Sequence, residues 1–206
     1  MRCQVCLLRH GILGTLLLLL GVQTLGHGGQ EYGATGVAST VAWSDNGRYA
    51  FVGLGKSGRV FDFDTDAFLS HEFIDPASIY HQYSAADFSS DGALLVTSRN
   101  MRIRLWNVQT GEQLGNWRGA SAQFSPDDSR LLLAQDGHMR ILDVATGQWI
   151  AESPEVAYVY GIESCALSPS GRYAVGPTYV DSLLGVWDLG SGEWFTIPRD
   201  PAYDYC

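Results

Sequence analysis

Short apolar runs separated by turn-forming residues recur four times between residues 41 and 192. The unit is clearest from residue 86 onward. Ala86-Asp87-Phe88 alternates apolar and polar, and Ser89-Ser90-Asp91-Gly92 is a turn cluster in which Asp and Gly accept positive φ at low cost. Ala93 to Ser98 is an apolar run short enough to be a strand covered on both faces. Arg99-Asn100 turns the chain, Met101 to Val108 alternates with period two, Thr110-Gly111 turns it again, and Gln113 to Trp117 can form an outer edge strand. Strands of this length with turn signals at intervals of about 8–12 residues predict an all-β chain. No convincing 3.6-residue periodicity follows residue 26.

The other copies are 41–66, 122–147 and 165–192. Two anchors align them. The first is Ser44, Ser89, Ser125 and Ser168, spaced by 45, 36 and 43 residues; the second is Phe61-Asp62, Trp106-Asn107, Leu142-Asp143 and Trp187-Asp188, spaced by 45, 36 and 45. A period near 40 residues predicts stacked supersecondary units, each burying its apolar face against a neighbour. In this alignment Cys165 falls with Val41, Ala86 and Ala122, the inward position of an inner strand.

The turn Phe124-Ser125-Pro126-Asp127-Asp128, the closings Arg104-Leu105-Trp106-Asn107 and Val186-Trp187-Asp188-Leu189, and the Thr-Gly that follows resemble WD-repeat proteins over about 41–197. The resemblance implies four-stranded antiparallel blades set radially, as in a β-propeller. It implies little about activity, because a fold does not fix a function. The Gly-His that often opens the family's repeats is missing, and only two copies keep Trp, so the family's His-centred hydrogen-bond network does not carry over. Four blades are spelled, at 41–73, 86–117, 122–153 and 165–197, with residues 27–40 as linker and 198–206 as tail. They can close as a small ring, stay an open arc, or form half of a ring completed by a homodimer. An arc, or a truncated member, is the reading taken, since 27–40 has no strand pattern and Glu193 to Ile197 supplies the last blade's own outer strand.

Residues 1–26 stand apart. Arg2 and Arg9 precede the apolar run Ile12 to Val22, and Thr24-Leu25-Gly26 ends it with small residues, the layout of a secretory signal peptide. Export to the periplasm or extracellular space is expected, with no membrane span once the signal is removed; an uncleaved N-terminal anchor is the alternative. The mature chain would keep 11 basic and 22 acidic residues, a net charge of −11. Such a surface repels nucleic acid and anionic lipid and suits a partner with a basic patch. Of the two mature cysteines, Cys165 reads as a buried free thiol and Cys206 ends the chain.

Chemistry is sparse. His71, Glu72, Asp75 and His81 share the connection between the first two copies, but no helix or tight turn fixes their spacing, so a solvated loop is expected. His138 reads as turn surface. Gly53 to Gly58 contains Gly-Lys-Ser, yet position 50 is Ala and a strand follows, so it reads as a hairpin turn and not a phosphate loop. The acids of Asp62 to Asp66 lack the Gly and Glu of a calcium loop and read as edge solubility. No Gly-x-Ser-x-Gly elbow is present. Trp117 and Trp149 miss the spacing of quinone-cofactor propellers and read as repeat packing.

Two connections are long and aromatic, Leu69 to Ala85 and Glu152 to Ser164, and insertions between repeats often bind. Tyr80, Tyr83, Tyr158 and Tyr160 are therefore the candidate protein-binding residues, although Val156 to Tyr160 also alternates as a strand would. The expectation is an exported, non-enzymatic interaction module or scaffold with an unidentified protein partner, no cofactor and no catalytic residues. The alternatives are a propeller enzyme or cofactor- or metal-binding protein, and a truncated propeller without independent function.

Overall fold

The computed structural model describes residues 38–54, 57–74, 83–154, 165–177 and 184–197. They form four antiparallel sheets, each a meander in sequence order. Blade 1 holds β1 (Ala38–Trp43), β2 (Tyr49–Leu54), β3 (Ser57–Asp62), β4 (Ala67–Phe68) and β5 (Phe73–Ile74). Blade 2 holds β6 (Tyr83–Phe88), β7 (Leu94–Arg99), β8 (Arg102–Asn107) and β9 (Gln113–Arg118). Blade 3 holds β10 (Ser121–Phe124), β11 (Arg130–Gln135), β12 (His138–Asp143) and β13 (Trp149–Glu152). Blade 4 holds β14 (Ala166–Leu167), β15 (Tyr173–Pro177), β16 (Leu184–Asp188) and β17 (Trp194–Ile197). The first strand begins at Ala38, inside the stretch expected to be linker, and Phe73-Ile74 extend the outer edge of blade 1 by pairing with Gly58 and Ser57.

Both sequence anchors have a mechanical cause. Each anchor serine lies in the first hairpin of its blade, and its Oγ accepts the N–H that opens the second strand: Tyr49 to Ser44 at 2.9 Å, Leu94 to Ser89 at 2.9 Å, Arg130 to Ser125 at 3.0 Å and Tyr173 to Ser168 at 3.0 Å. A short hydroxyl thus supplies the turn with an acceptor that the ladder cannot. The acid or amide of the second anchor does the same for the third turn. Asp62, Asn107, Asp143 and Asp188 accept from the N–H of Asp64 (3.0 Å), Thr110 (2.9 Å), Thr146 (2.8 Å) and Gly190 (2.8 Å). Asp62 is therefore not a solubilising edge acid. It is 2 % exposed and paired with Arg48 at 2.9 Å, and the guanidinium holds its carboxyl below the usual range. Arg172 and Asp188 repeat the pair at 2.7 Å in blade 4, where the carboxyl is held at about 2.

Blades are joined face to face by apolar cores. Phe51, Val60 and Phe73 of blade 1 meet Tyr83, Leu95 and Trp106 of blade 2. Ile103 and Leu105 of blade 2 meet Phe124, Leu131 and Leu142 of blade 3, and Leu132, Met139 and Ile141 of blade 3 meet Ala174 and Trp187 of blade 4. Each large side chain so buried contributes about 1.5–3 kcal/mol. No such core joins the first and fourth blades among the described residues, so within those residues the four sheets form an open arc.

That openness overturns one alignment inference. Ala122 is buried, Ala86 and Cys165 are half-buried, but Val41, at the same repeat position, is 63 % exposed, with no sheet before it among the described residues. Cys165 is a free thiol 3.6 Å from Ser121 Oγ, and burial pushes it up to about 11.

Candidate interaction surfaces

A four-stranded meander sends its first and third turns to one rim and its second turn and its link to the next blade to the other. The first rim is tied across the blades. Asn46 Nδ2 donates to Asp91 O at 2.6 Å, and the Ser90 N–H donates to the Asp128 carboxylate at 2.9 Å. Here the Gly92 φ of +71° is required, and a Cβ on it would stand 2.9 Å from the Tyr49 ring of the preceding blade. The rim is acidic, with Asp91 held low by the Ala93 N–H and the Ser89 hydroxyl, and Asp127 held at about 2 by the hydroxyls of Ser125 and Ser129.

The second rim holds the described ends of both long connections, at Ile74 and Tyr83 and at Pro154 and Cys165. Of the four candidate tyrosines, Tyr80, Tyr158 and Tyr160 lie outside the described residues. Tyr83 is described and is not a surface residue. It is 3 % exposed at the start of β6, its ring meets Phe51 edge-on at 5.4 Å, and its hydroxyl donates to the Phe73 carbonyl. Its aromatic bulk serves the first blade boundary because Gly53 leaves room beside it: a Cβ there would lie 2.9 Å from Tyr83 Cβ. Of the remaining polar candidates, Asp75 and His81 also lie outside the described residues. His71 is half-buried, with a ring nitrogen 3.0 Å from Val108 O and its ring edge-on to Phe73, so His71 itself is packed, while Glu72 beside it is exposed. His138 is half-buried too, bonded to Ser153 O at 3.1 Å. Among the described residues no three His, Cys, Asp or Glu side chains gather as a metal site. Leu54 and Ser57 pair as the ends of a hairpin around 55–56, which leaves no helix to follow the Gly-Lys-Ser stretch.

Some exposed apolar groups were not anticipated from the residues. Met101 tips the β7–β8 turn, 43 % exposed, with Asn100 and Met101 both at positive φ (52° and 57°). In blade 3 the same two-residue turn is Asp136-Gly137, which suits that backbone. Leu114, Trp149 and Ile150 stand exposed on outer strands; Trp149, expected as repeat packing, is 42 % exposed, with the Arg140 guanidinium 5.6 Å over its ring. An outer strand has no neighbour on its far side, and sequence alternation alone does not separate that setting from an inner one.

Residues 77–107 match the family described as WD40, WD domain, G-beta repeat. No match is found among curated proteins. Among solved structures the chain is similar to Kuenenia stuttgartiensis hydrazine synthase, at 17 % identity with a TM-score of 0.62, over 85 % of this chain and 53 % of that one. It is also similar to the Myceliophteria thermophila Cps50 (Swd1) β-propeller domain, at 14 % identity with a TM-score of 0.64, over 81 % of this chain and 56 % of that one. The chain thus spans about half the length of the structures it matches. At such identities the likeness is one of fold.

Proposed function

With blades of WD-repeat type and an all-β propeller fold as the premise, we propose that the chain is an exported, non-enzymatic module that binds another protein. Propeller domains of this kind serve protein interaction in general. The observation that supports the reading here is the division of labour between the two rims. One is locked by inter-blade hydrogen bonds through Asn46, Ser90 and Asp128. The other holds the ends from which the long connections leave and the exposed, strained Met101 tip. A rigid arc that carries long links on one rim can order them at low entropy cost when a partner arrives. Tyr80, Tyr158 and Tyr160 are the contact residues of this reading, and Tyr83 serves the core between blades 1 and 2 instead. The net negative charge favours a partner with a basic face and slows approach to nucleic acid.

The test is affinity capture from the chain's own extracellular fraction, with the wild type beside the triple variant Tyr80→Ala, Tyr158→Ala, Tyr160→Ala. The expected result is loss of the captured partner at an unchanged melting temperature. Equal capture by both proteins removes the tyrosines from the reading. Turnover or a co-purifying chromophore or metal in the purified wild type favours the enzyme alternative instead.

A further inference from the structure

The two ends of the arc are the two halves of a blade boundary. Call the face of a blade toward its predecessor the rear and the face toward its successor the front. At each of the three internal boundaries a front packs on a rear. On the rear of blade 1, Trp43, Ala50 and Phe61 lie on one cross-strand row, the row that in blade 3 reads Phe124, Leu131 and Leu142. Phe124 is 5 % exposed against blade 2, whereas Trp43 is 49 % exposed and, among the described residues, stacks on Phe63, 4.8 Å away in its own blade. Val41 beside it is 63 % exposed. The front of blade 4 shows the same contrast. Leu184 stands where Met139 stands in blade 3, yet it is 40 % exposed and Met139 is fully buried. Its cross-strand partner Ile197 is 45 % exposed, and Phe195, opposite Val186, is 48 % exposed.

We propose that these faces are filled by a second copy of the chain, the front of blade 4 of each copy packing on the rear of blade 1 of the other. The occupant follows from continuity with the interface already present: Val41 and Trp43 at one end and Leu184, Phe195 and Ile197 at the other are exposed on faces of the kind that mate front to rear three times inside the chain, while Ala50, Phe61 and Val186 of the same faces are already covered within it. Two copies related by a two-fold axis bring both complements at once, so the contact closes and leaves no free face. Each chain spans 53–56 % of the solved chains it resembles, so two arcs have the length of one such structure. The area is sufficient. The strands hold 22 residues in blade 1 and 16 in blade 4, and at about 4.8 Å between strands and a rise of about 3.3 Å per residue they make faces of roughly 350 and 250 Å², so the four faces that meet would bury about 1,200 Å² at most. That is the lower end of the range for a stable interface. This eight-blade ring stands independently of the tyrosine-bearing rim, because it uses the ends of the arc and not its links.

The experiment is light scattering on the full-length chain at about 5 and 50 μM, with Val41→Glu on the rear face and Leu184→Lys on the front face. Both side chains are exposed in the single chain, so neither change disturbs an internal boundary; Ile197→Lys replaces Leu184→Lys if the latter lowers the melting temperature. Wild type is expected as a dimer, and each variant alone as a monomer, its dissociation constant raised about 100-fold or more by charges left unpaired in the interface. Mixed one to one, the two variants are expected to regain a dimer, since one contact is then wild type and the other joins Glu to Lys. A monomeric wild type overturns the proposal, as does a single variant that stays dimeric, a mixture that stays monomeric, or a mass that keeps growing with concentration.

Discussion

Asp87 carries a worked prediction. It sits half-buried on the inner strand of blade 2, and its Oδ2 accepts the Phe124 N–H of blade 3 at 2.8 Å. Burial raises its carboxyl from 3.8 to about 6 against the pull of the Phe124 and Phe88 N–H groups, and Asp45 and Asp128 add repulsion. A carboxyl raised on folding holds its proton more tightly in the native state than in the unfolded one. Its unfavourable charge is therefore absent below pH 4 and complete above about pH 6, and stability falls as pH rises between them. A shift of about two pK units is worth about 3 kcal/mol, an upper value for a group that water partly reaches. The next boundary shows a neutral solution: Gln123 stands at the same repeat position, and its Oε1 accepts the Leu167 N–H at 2.8 Å. Asp87→Asn keeps the acceptor and removes the charge. It should raise stability by about 1–3 kcal/mol at pH 7.5, or several degrees of melting temperature, and change nothing at pH 3.5. Urea unfolding of both proteins at intervals from pH 3.5 to 8 reads this directly. A variant less stable than wild type at pH 7.5, or a difference that does not vary with pH, refutes the argument.

Phe51 is fully buried beneath Gly58, whose added Cβ would lie 2.2 Å from the ring. Gly58→Ala should cost about 1–3 kcal/mol in the wild type and much less beside Phe51→Ala, itself costing about 3–5 kcal/mol; additive effects in chemical denaturation would contradict the contact. Met101→Gly converts the strained turn to Asn-Gly and should stabilise by about 1 kcal/mol, read as a rise in melting temperature. Ser89→Ala removes the acceptor of the Leu94 N–H and should cost about 1–2 kcal/mol in the same assay. In a Cys3→Ser, Cys6→Ser, Cys206→Ser background, Cys165 should react with a thiol reagent at pH 7.5 far more slowly in the folded protein than in urea; equal rates would mean that the thiol is not shielded.

The repeat, its strand order and its hairpins were legible because each rests on a local device that the residues spell. A serine oxygen closes the first turn, and an acid or amide closes the third, so the anchors recur wherever the turns do. Where a residue's fate depends on what faces it across a boundary, local pattern was silent. Tyr83 looked like contact area on a long link, but a neighbouring blade with a glycine opposite makes it core. Asp62 looked like edge charge, but Arg48, fourteen residues earlier and on the adjacent strand's turn, draws it inside. Val41 aligned with inward strand positions, and it and Trp43 hold the places that Ala122 and Phe124 fill, buried, in blade 3. What separates them from Ala122 and Phe124 is only the presence of a mate. On the ring proposed above, an apolar position is written by the role it fills in the assembly, and its exposure in the single chain would mark a partner face and not a flaw in the pattern.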